Sequence, residues 1–260
     1  MRGRRGPIVL ALGAEETSSV AVTFARLAAR RASVDLRTGQ TPSSSARTAR
    51  ELDATMIVIS ALPDRWGPLG MSARRASWLI AHTGCAVVAV SPTLTTLPRR
   101  CVAAIDFSLA SIHAAEMALL MLEDCGTLTL VHVRPARDLS SAQHTARGAV
   151  TTDAIAAHFK RLRADLLEHA PAGTVIETQM ESGEIVEQIL SVAREVEADL
   201  IVVGVHSRRA IDRIIDFGTA AQLLRRAPCS VLASPVSRVA RVFRGESGSA
   251  YWATAPEWLD

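Results

Sequence analysis

Lysine and asparagine are all but missing from this chain. Of its 29 basic residues only Lys160 is a lysine, and asparagine does not occur. That excludes a phosphate loop of the GxxxxGK type, a second lysine for Schiff-base chemistry, Asn-x-Ser glycosylation and the asparagine of a kinase-type catalytic loop. Aromatic residues make up 4% of the 260, with a single tyrosine, Tyr251. No stretch approaches the roughly 18 apolar residues of a membrane span, so no membrane insertion is expected. The opening MRGRRGPIVLALGA imitates an export signal, but its apolar part is short and runs into Glu15 and Glu16, so secretion is not expected. Cysteine is sparse too. Cys85, Cys101, Cys125 and Cys229 form no CxxC pair and stand singly in apolar surroundings, as buried free thiols do, which points to a reducing, cytoplasmic setting. Net charge is only +3 with acids and bases interspersed, which argues against nucleic acid or an anionic membrane as partner.

What is present is apolar material and a repeat. Hydrophobic residues reach 48% against 21% charged, enough for a packed core. IVLALGAEETSSVAVTFARLAAR, starting at Ile8, aligns with CVAAIDFSLASIHAAEMALLMLE, starting at Cys101, an offset of 93. ELDATMIVIS, starting at Glu51, aligns with EVEADLIVVG, starting at Glu195, an offset of 144 that holds without a gap to Cys85 and Cys229. A constant offset over strand, loop, helix and strand marks a tandem duplication. The two offsets differ by 51, so the first copy lacks a segment that the second keeps.

The second copy carries the full pattern. Strands are expected from Val102 to Asp106, Leu128 to Val133, Thr174 to Met180 at an edge, Leu200 to Val203, and Cys229 to Ala233. Helices are expected from Ser111 to Glu123, Asp153 to His169, Glu184 to Val196 and Gly218 to Arg226, with a polar loop from Ala136 to Val150. The first copy shows strands near Ile8 to Leu12, Val34 to Arg37, Met56 to Ser60 and Ala86 to Val90, with helices from Ser18 to Arg31, Ser44 to Leu52 and Ala73 to His82. One strand and one helix are missing from it. Alternation of strand and helix implies an α/β fold with open parallel sheets covered on both faces. SPTLTTLPRR reads as a linker, which divides the chain into 1–97, 98–237 and a tail, 238–260, holding Tyr251, Trp252 and Trp258.

Three segments of the second copy, VAAIDFSLAS, LTLVHVRP and ADLIVVGVHSRRAIDRIIDFGTAAQLLRRAPCSVLASP, resemble the universal stress protein family, within the adenine-nucleotide α-hydrolase-like group. The match spans Cys101 to Pro235 well and Pro7 to Pro92 weakly. The resemblance implies five parallel strands in a complete domain, a role in stress or dormancy, and in one branch ATP binding. Asp106 matches the acidic residue that contacts the nucleoside, while Asp with Ser108 nearby equally suits a helix cap. Val131 and Val133 flank His132 where main-chain groups would meet adenine, or are plain strand core. The family's phosphate loop is Gly-x-x-Gly, nine residues, then Gly-Ser or Gly-Thr. Here Gly204 stands, Ser207 replaces the second glycine, ten residues intervene, and Gly218 and Thr219 close the loop. Arg208, Arg209 and Arg213 offer charge to a phosphate or form a solvated face.

In the first copy Gly13 replaces Asp106, Ser60 replaces Gly204, Pro63 replaces Ser207, and Arg74 and Arg75 replace Gly218 and Thr219. With the second strand and its helix also expected to be lost, that half is read as a structural partner without nucleotide, leaving any ATP to the second half. Because the family pairs through last strands, Ala86 to Val90 and Ser230 to Ala233 are expected side by side and antiparallel, making the chain a pseudo-dimer. Signatures for catalysis (His-x-Gly-His, HExxH, Gly-x-Ser-x-Gly) are missing, so no enzyme activity and no metal site are expected. Two readings stay open: an ATP-linked stress sensor, and a nucleotide-free interaction module using Trp66, Trp252 and Trp258 as anchors for a protein partner or a second copy.

Overall fold

The computed structural model describes residues 6–11, 19–61, 71–135, 152–205 and 218–235. Within them the first copy forms β1 (Ile8–Ala11), α1 (Ser19–Ala32), β2 (Leu36–Gly39), α2 (Pro42–Glu51), β3 (Met56–Ser60), α3 (Met71–Thr83) and β4 (Ala86–Val90). The second forms β5 (Arg100–Ala104), α4 (Leu109–Met121), β6 (Thr127–Pro135), α5 (Thr152–Leu167), β7 (Val175–Gly183), α6 (Ile185–Glu195), β8 (Leu200–Val205), α7 (Thr219–Arg226) and β9 (Ser230–Pro235).

Local chemistry explains these elements. The runs MIVIS of β3 and AVVAV of β4 are buried at every position, as parallel strands covered on both faces must be. In α1 the buried residues Ala21, Phe24, Ala25 and Ala28 recur at helical spacing, which makes one apolar stripe. Thr41 caps α2, exchanging hydrogen bonds with Ser44, and Pro42 supplies the fixed φ of a first turn. Helix α4 is buried almost all round, because it lies between β8, β9 and α1.

The strands make one nine-stranded sheet in the order β2-β1-β3-β4-β9-β8-β5-β6-β7. Every neighbouring pair is parallel except β4 and β9. Helices α1, α4 and α5 share one core with one face of the sheet, and α2, α3, α6 and α7 share the other. The expected antiparallel junction is present. Its register pairs Val87 with Ala233, Val88 with Leu232 and Ala89 with Val231. The repeat offset of 144 maps Val88 onto Leu232, its own cross-strand partner, so the pseudo-twofold axis passes through this pair. Equivalent helices also meet across it, α1 against α4 and α3 against α7. An isologous contact of a dimer has thus been enclosed in one chain.

Two expectations need correction. The strand missing from the first half is not the second. β2 lies parallel beside β1 as β6 lies beside β5, so the lost pieces are the counterparts of α5 and β7. Such an edge strand can be removed without breaking ladders on both sides of it. The second correction concerns cysteine. Cys85 and Cys101 are buried and Cys229 is half-buried, but Cys125 is exposed, in a turn where its φ is +59°. The residues from 136 to 151 and the tail after Pro235 lie outside the described residues.

Leu232 is fully buried against Val88 on the axis. Leu232→Ala is expected to lower the unfolding free energy by about 2–5 kcal/mol in a urea titration, the usual range for a core leucine truncated to alanine. A second expectation concerns the thiols. Burial is the main cause that pushes Cys229 from 9.0 up to about 12, and it also raises Cys85 and Cys101. A thiol reagent at roughly neutral pH should therefore label Cys125 and spare the other three, because only an accessible thiolate reacts. The native state keeps the Cys229 proton that the unfolded chain releases, so the contribution to stability is complete below about pH 9 and is lost as pH climbs towards 12. Mass mapping of the label and denaturant midpoints across that window check both statements.

Candidate functional site

A cavity of about 530 Å³ opens at the C-terminal ends of β5, β6 and β8. Strand order reverses around β5, which has β8 on one side and β6 on the other. In open α/β sheets a crevice at such a reversal is where ligands bind. Its floor is strand: Ala104, Val131, Val133, Val203 and Val205. Ile185 and Ile189 of α6 line one part of the wall, and the first turn of α7 lines another. The remaining wall belongs to the other half of the chain, where α3 contributes Ser77, Trp78, Ala81 and His82.

Of the residues singled out by sequence, Asp106, Val133, Gly204, Gly218 and Thr219 all line this cavity. Ser207 lies outside the described residues, as do Arg208, Arg209 and Arg213. The two readings of Asp106 are compatible. Its Oδ1 accepts a hydrogen bond from the Ser108 N–H at 2.9 Å. Ser108 is in turn the N-cap of α4, accepting from the Ser111 N–H at 3.2 Å. The carboxylate therefore braces the turn into α4 while standing at the cavity. Between these two residues Phe107 holds a left-handed φ of +62°, an uncommon conformation for a bulky side chain. Its ring, 3% exposed, goes to the opposite face of the sheet and packs on His132, His158 and Phe159 at centroid separations of 5.2, 5.4 and 5.2 Å. His132 Nδ1–H donates to the Ile105 carbonyl at 2.8 Å. Burial pushes its pKa down, which keeps the ring neutral at pH 7.

The two glycines differ in kind. A Cβ on Gly204 would come within 2.5 Å of Ser111 N and 2.6 Å of Ala110 C, so β8 passes directly under the start of α4. That approach alone requires glycine. Around Gly218 nothing lies within 4 Å of a Cβ, and its φ of −69° suits any residue. What Gly218 does as N-cap is to leave α7 without a side-chain cap, so the positive end of the helix is open to the cavity.

The equivalent place in the first half is built differently. Arg75, the counterpart of Thr219, sends its Nη2–H to the Ala11 carbonyl at 2.6 Å. Ala11 is the counterpart of Ala104, so a guanidinium stands at the strand end where the second half has its cavity. α2 also sits tightly on β2, with a Cβ on Gly39 falling 2.7 Å from Ser45 Cα.

Sequence reasoning passed over Trp78. Its signal was available: an aromatic in an aromatic-poor chain, on a helix whose repeat partner carries Gln222 at the same position. Among the described residues no cluster of three metal-ligating side chains occurs, and no helix is long and apolar enough to cross a membrane.

The model of the Universal stress protein family matches residues 98–235. No curated protein matches the chain. Among solved structures it is similar to a universal stress protein from Archaeoglobus fulgidus, with 14% identity over 88% of this chain and 97% of that one and a TM-score of 0.58. It is similar also to a candidate universal stress protein from Pseudomonas aeruginosa, with 14% identity over 92% and 96% and a TM-score of 0.57. At such identities the likeness is one of fold, and it extends over both halves.

Gly204→Ala is expected to destabilise the ligand-free protein by about 1–3 kcal/mol through overpacking against α4. Gly218→Ala should be close to neutral in the same melting experiment, since its Cβ meets open space.

Proposed function

The chain belongs to the universal stress protein family, and from that premise we propose that it is a non-catalytic stress-response protein that binds an adenine nucleotide in its second half. The observation that carries this reading is the cavity of about 530 Å³, with strand valines as its floor, Asp106 at its edge and the uncapped N-terminus of α7 open to it. Its size falls in the range of small-molecule pockets, roughly 300–1,000 Å³. An apolar strand floor suits a base, a carboxylate accepts from ribose hydroxyls, and a helix N-terminus attracts phosphate. The ligand is assigned to the second half alone, because Arg75 stands at the corresponding strand end of the first. The thiols suit the reducing cytoplasm.

A second reading is a nucleotide-free interaction module, which would signal through a protein partner or a second copy of the chain. One observation favours it: Gly204 is explained by packing alone, so its presence does not count towards a phosphate loop.

Melting with and without millimolar ATP and Mg²⁺ separates the two. The nucleotide reading expects an upward shift, about 2.7 kcal/mol of added stability at a hundredfold excess over Kd. Gly218→Arg should abolish the shift by filling the mouth of α7, and Asp106→Ala should reduce it. No shift in the wild-type protein would overturn nucleotide binding and leave the interaction module.

A further inference from the structure

The truncated half supplies a wall of the cavity that lies in the complete half. We infer that the cavity is a composite site in which Trp78 forms an aromatic platform for a flat ring, so that ligand and inter-half contact are coupled. For its nucleotide arm this rests on the reading proposed above.

Three observations carry it. Trp78 is 36% exposed, an unusual setting for so large an apolar side chain, and it lines the cavity together with His82 one turn further on. The two rings are stacked, with centroids 4.2 Å apart and planes inclined by 22°. His82 Nδ1–H donates to the Trp78 carbonyl at 2.8 Å, which fixes the imidazole behind the indole. A rotamer already held by a neighbour loses less entropy when a ligand settles on it.

The third observation is an asymmetry. Across the pseudo-twofold axis α3 and α7 exchange places, so Gln222 of α7 stands to the first half as Trp78 stands to the second. The first half has Arg75 at its strand end, and there the equivalent position is not aromatic. The tryptophan stands on the helix that borders the open cavity. Core packing gives no reason for this choice, since Leu79 and Ile80, not Trp78, are the buried residues of that turn. Flat aromatic rings, nucleobases among them, stack on indole whatever their edge pattern, so the ligand class is a planar heteroaromatic compound.

The test uses the full chain. Trp66→Phe, Trp252→Phe and Trp258→Phe together leave Trp78 as the sole indole emitter, and ATP, adenosine and anilinonaphthalene sulfonate serve as probes. Equilibrium dialysis measures affinity for the wild type, Trp78→Ala and Trp78→Phe, and ligand-free melting confirms that each is folded. Saturable quenching of Trp78 by ATP and adenosine is expected, with about tenfold weaker binding in Trp78→Ala and recovery to within about twofold in Trp78→Phe. If ATP binds without quenching Trp78 and Trp78→Ala keeps full affinity, the platform is overturned while the nucleotide reading stands. If neither nucleotide binds but the naphthalene sulfonate does, and Trp78→Ala weakens it with recovery in Trp78→Phe, the platform stands and the nucleotide reading falls. If no probe depends on Trp78, the platform is overturned.

Discussion

Three residue pairs on two antiparallel strands hold the architecture together. β4 would be the open edge of a four-stranded sheet and β9 the open edge of a five-stranded one, yet every residue of both is buried. Only their mutual pairing makes that burial tolerable, because an unpaired edge of AVVAV would be both unsatisfied and adhesive. The pairing also brings α1 to α4 and α3 to α7, so each half completes its two helical layers with help from the other. A half that has lost a helix and a strand is short of core. Covalent linkage keeps its partner always at hand, and the loss becomes survivable.

The same junction explains why two copies of one pattern have come to differ. Once a homodimer contact is enclosed in one chain, its two sides are free to vary separately. In one half a cavity persists above β5, β6 and β8. In the other the residue equivalent to Thr219 is Arg75, whose guanidinium reaches back to the end of β1. A half-buried guanidinium needs carbonyl or carboxylate acceptors, and a strand end offers carbonyls left over by the ladder. The substitution thus sets a guanidinium on a strand-end carbonyl at the place where the second half has its cavity.

Much of this was legible in the residues. The unbroken offset of 144 identified β4 and β9 as equivalents, and the mirrored register about Val88 and Leu232 follows from that equivalence. Asp106, Val133, Gly204, Gly218 and Thr219, picked from separate stretches, meet at one cavity. The rest was hidden for physical reasons. Which strand had been deleted depends on ladder neighbours, and sequence spacing records only that something was lost. Gly204 reads as a ligand loop along the chain, but the atoms that forbid its Cβ belong to α4. The apolar surroundings expected of Cys125 do not hold, since Glu123 and Asp124 precede it, Gly126 follows, and a turn with positive φ puts it outside. Trp78 stands out by its rarity, but the cavity it lines lies in the other half, a contact that helical periodicity does not encode.

Cavity and junction share one piece of structure, which constrains any signal the protein sends. α3 packs on α7, and both line the cavity. A ligand held between them contributes to the contact of the two halves, and by linkage a firmer contact favours the ligand to the same degree. The sheet itself is a poor candidate for movement, since β4 and β9 are bonded on both sides. From one helical layer the cavity is lined by α3, α6 and α7. A partner reading a bound state through that layer would meet both halves, since α3 belongs to the first and α6 and α7 to the second.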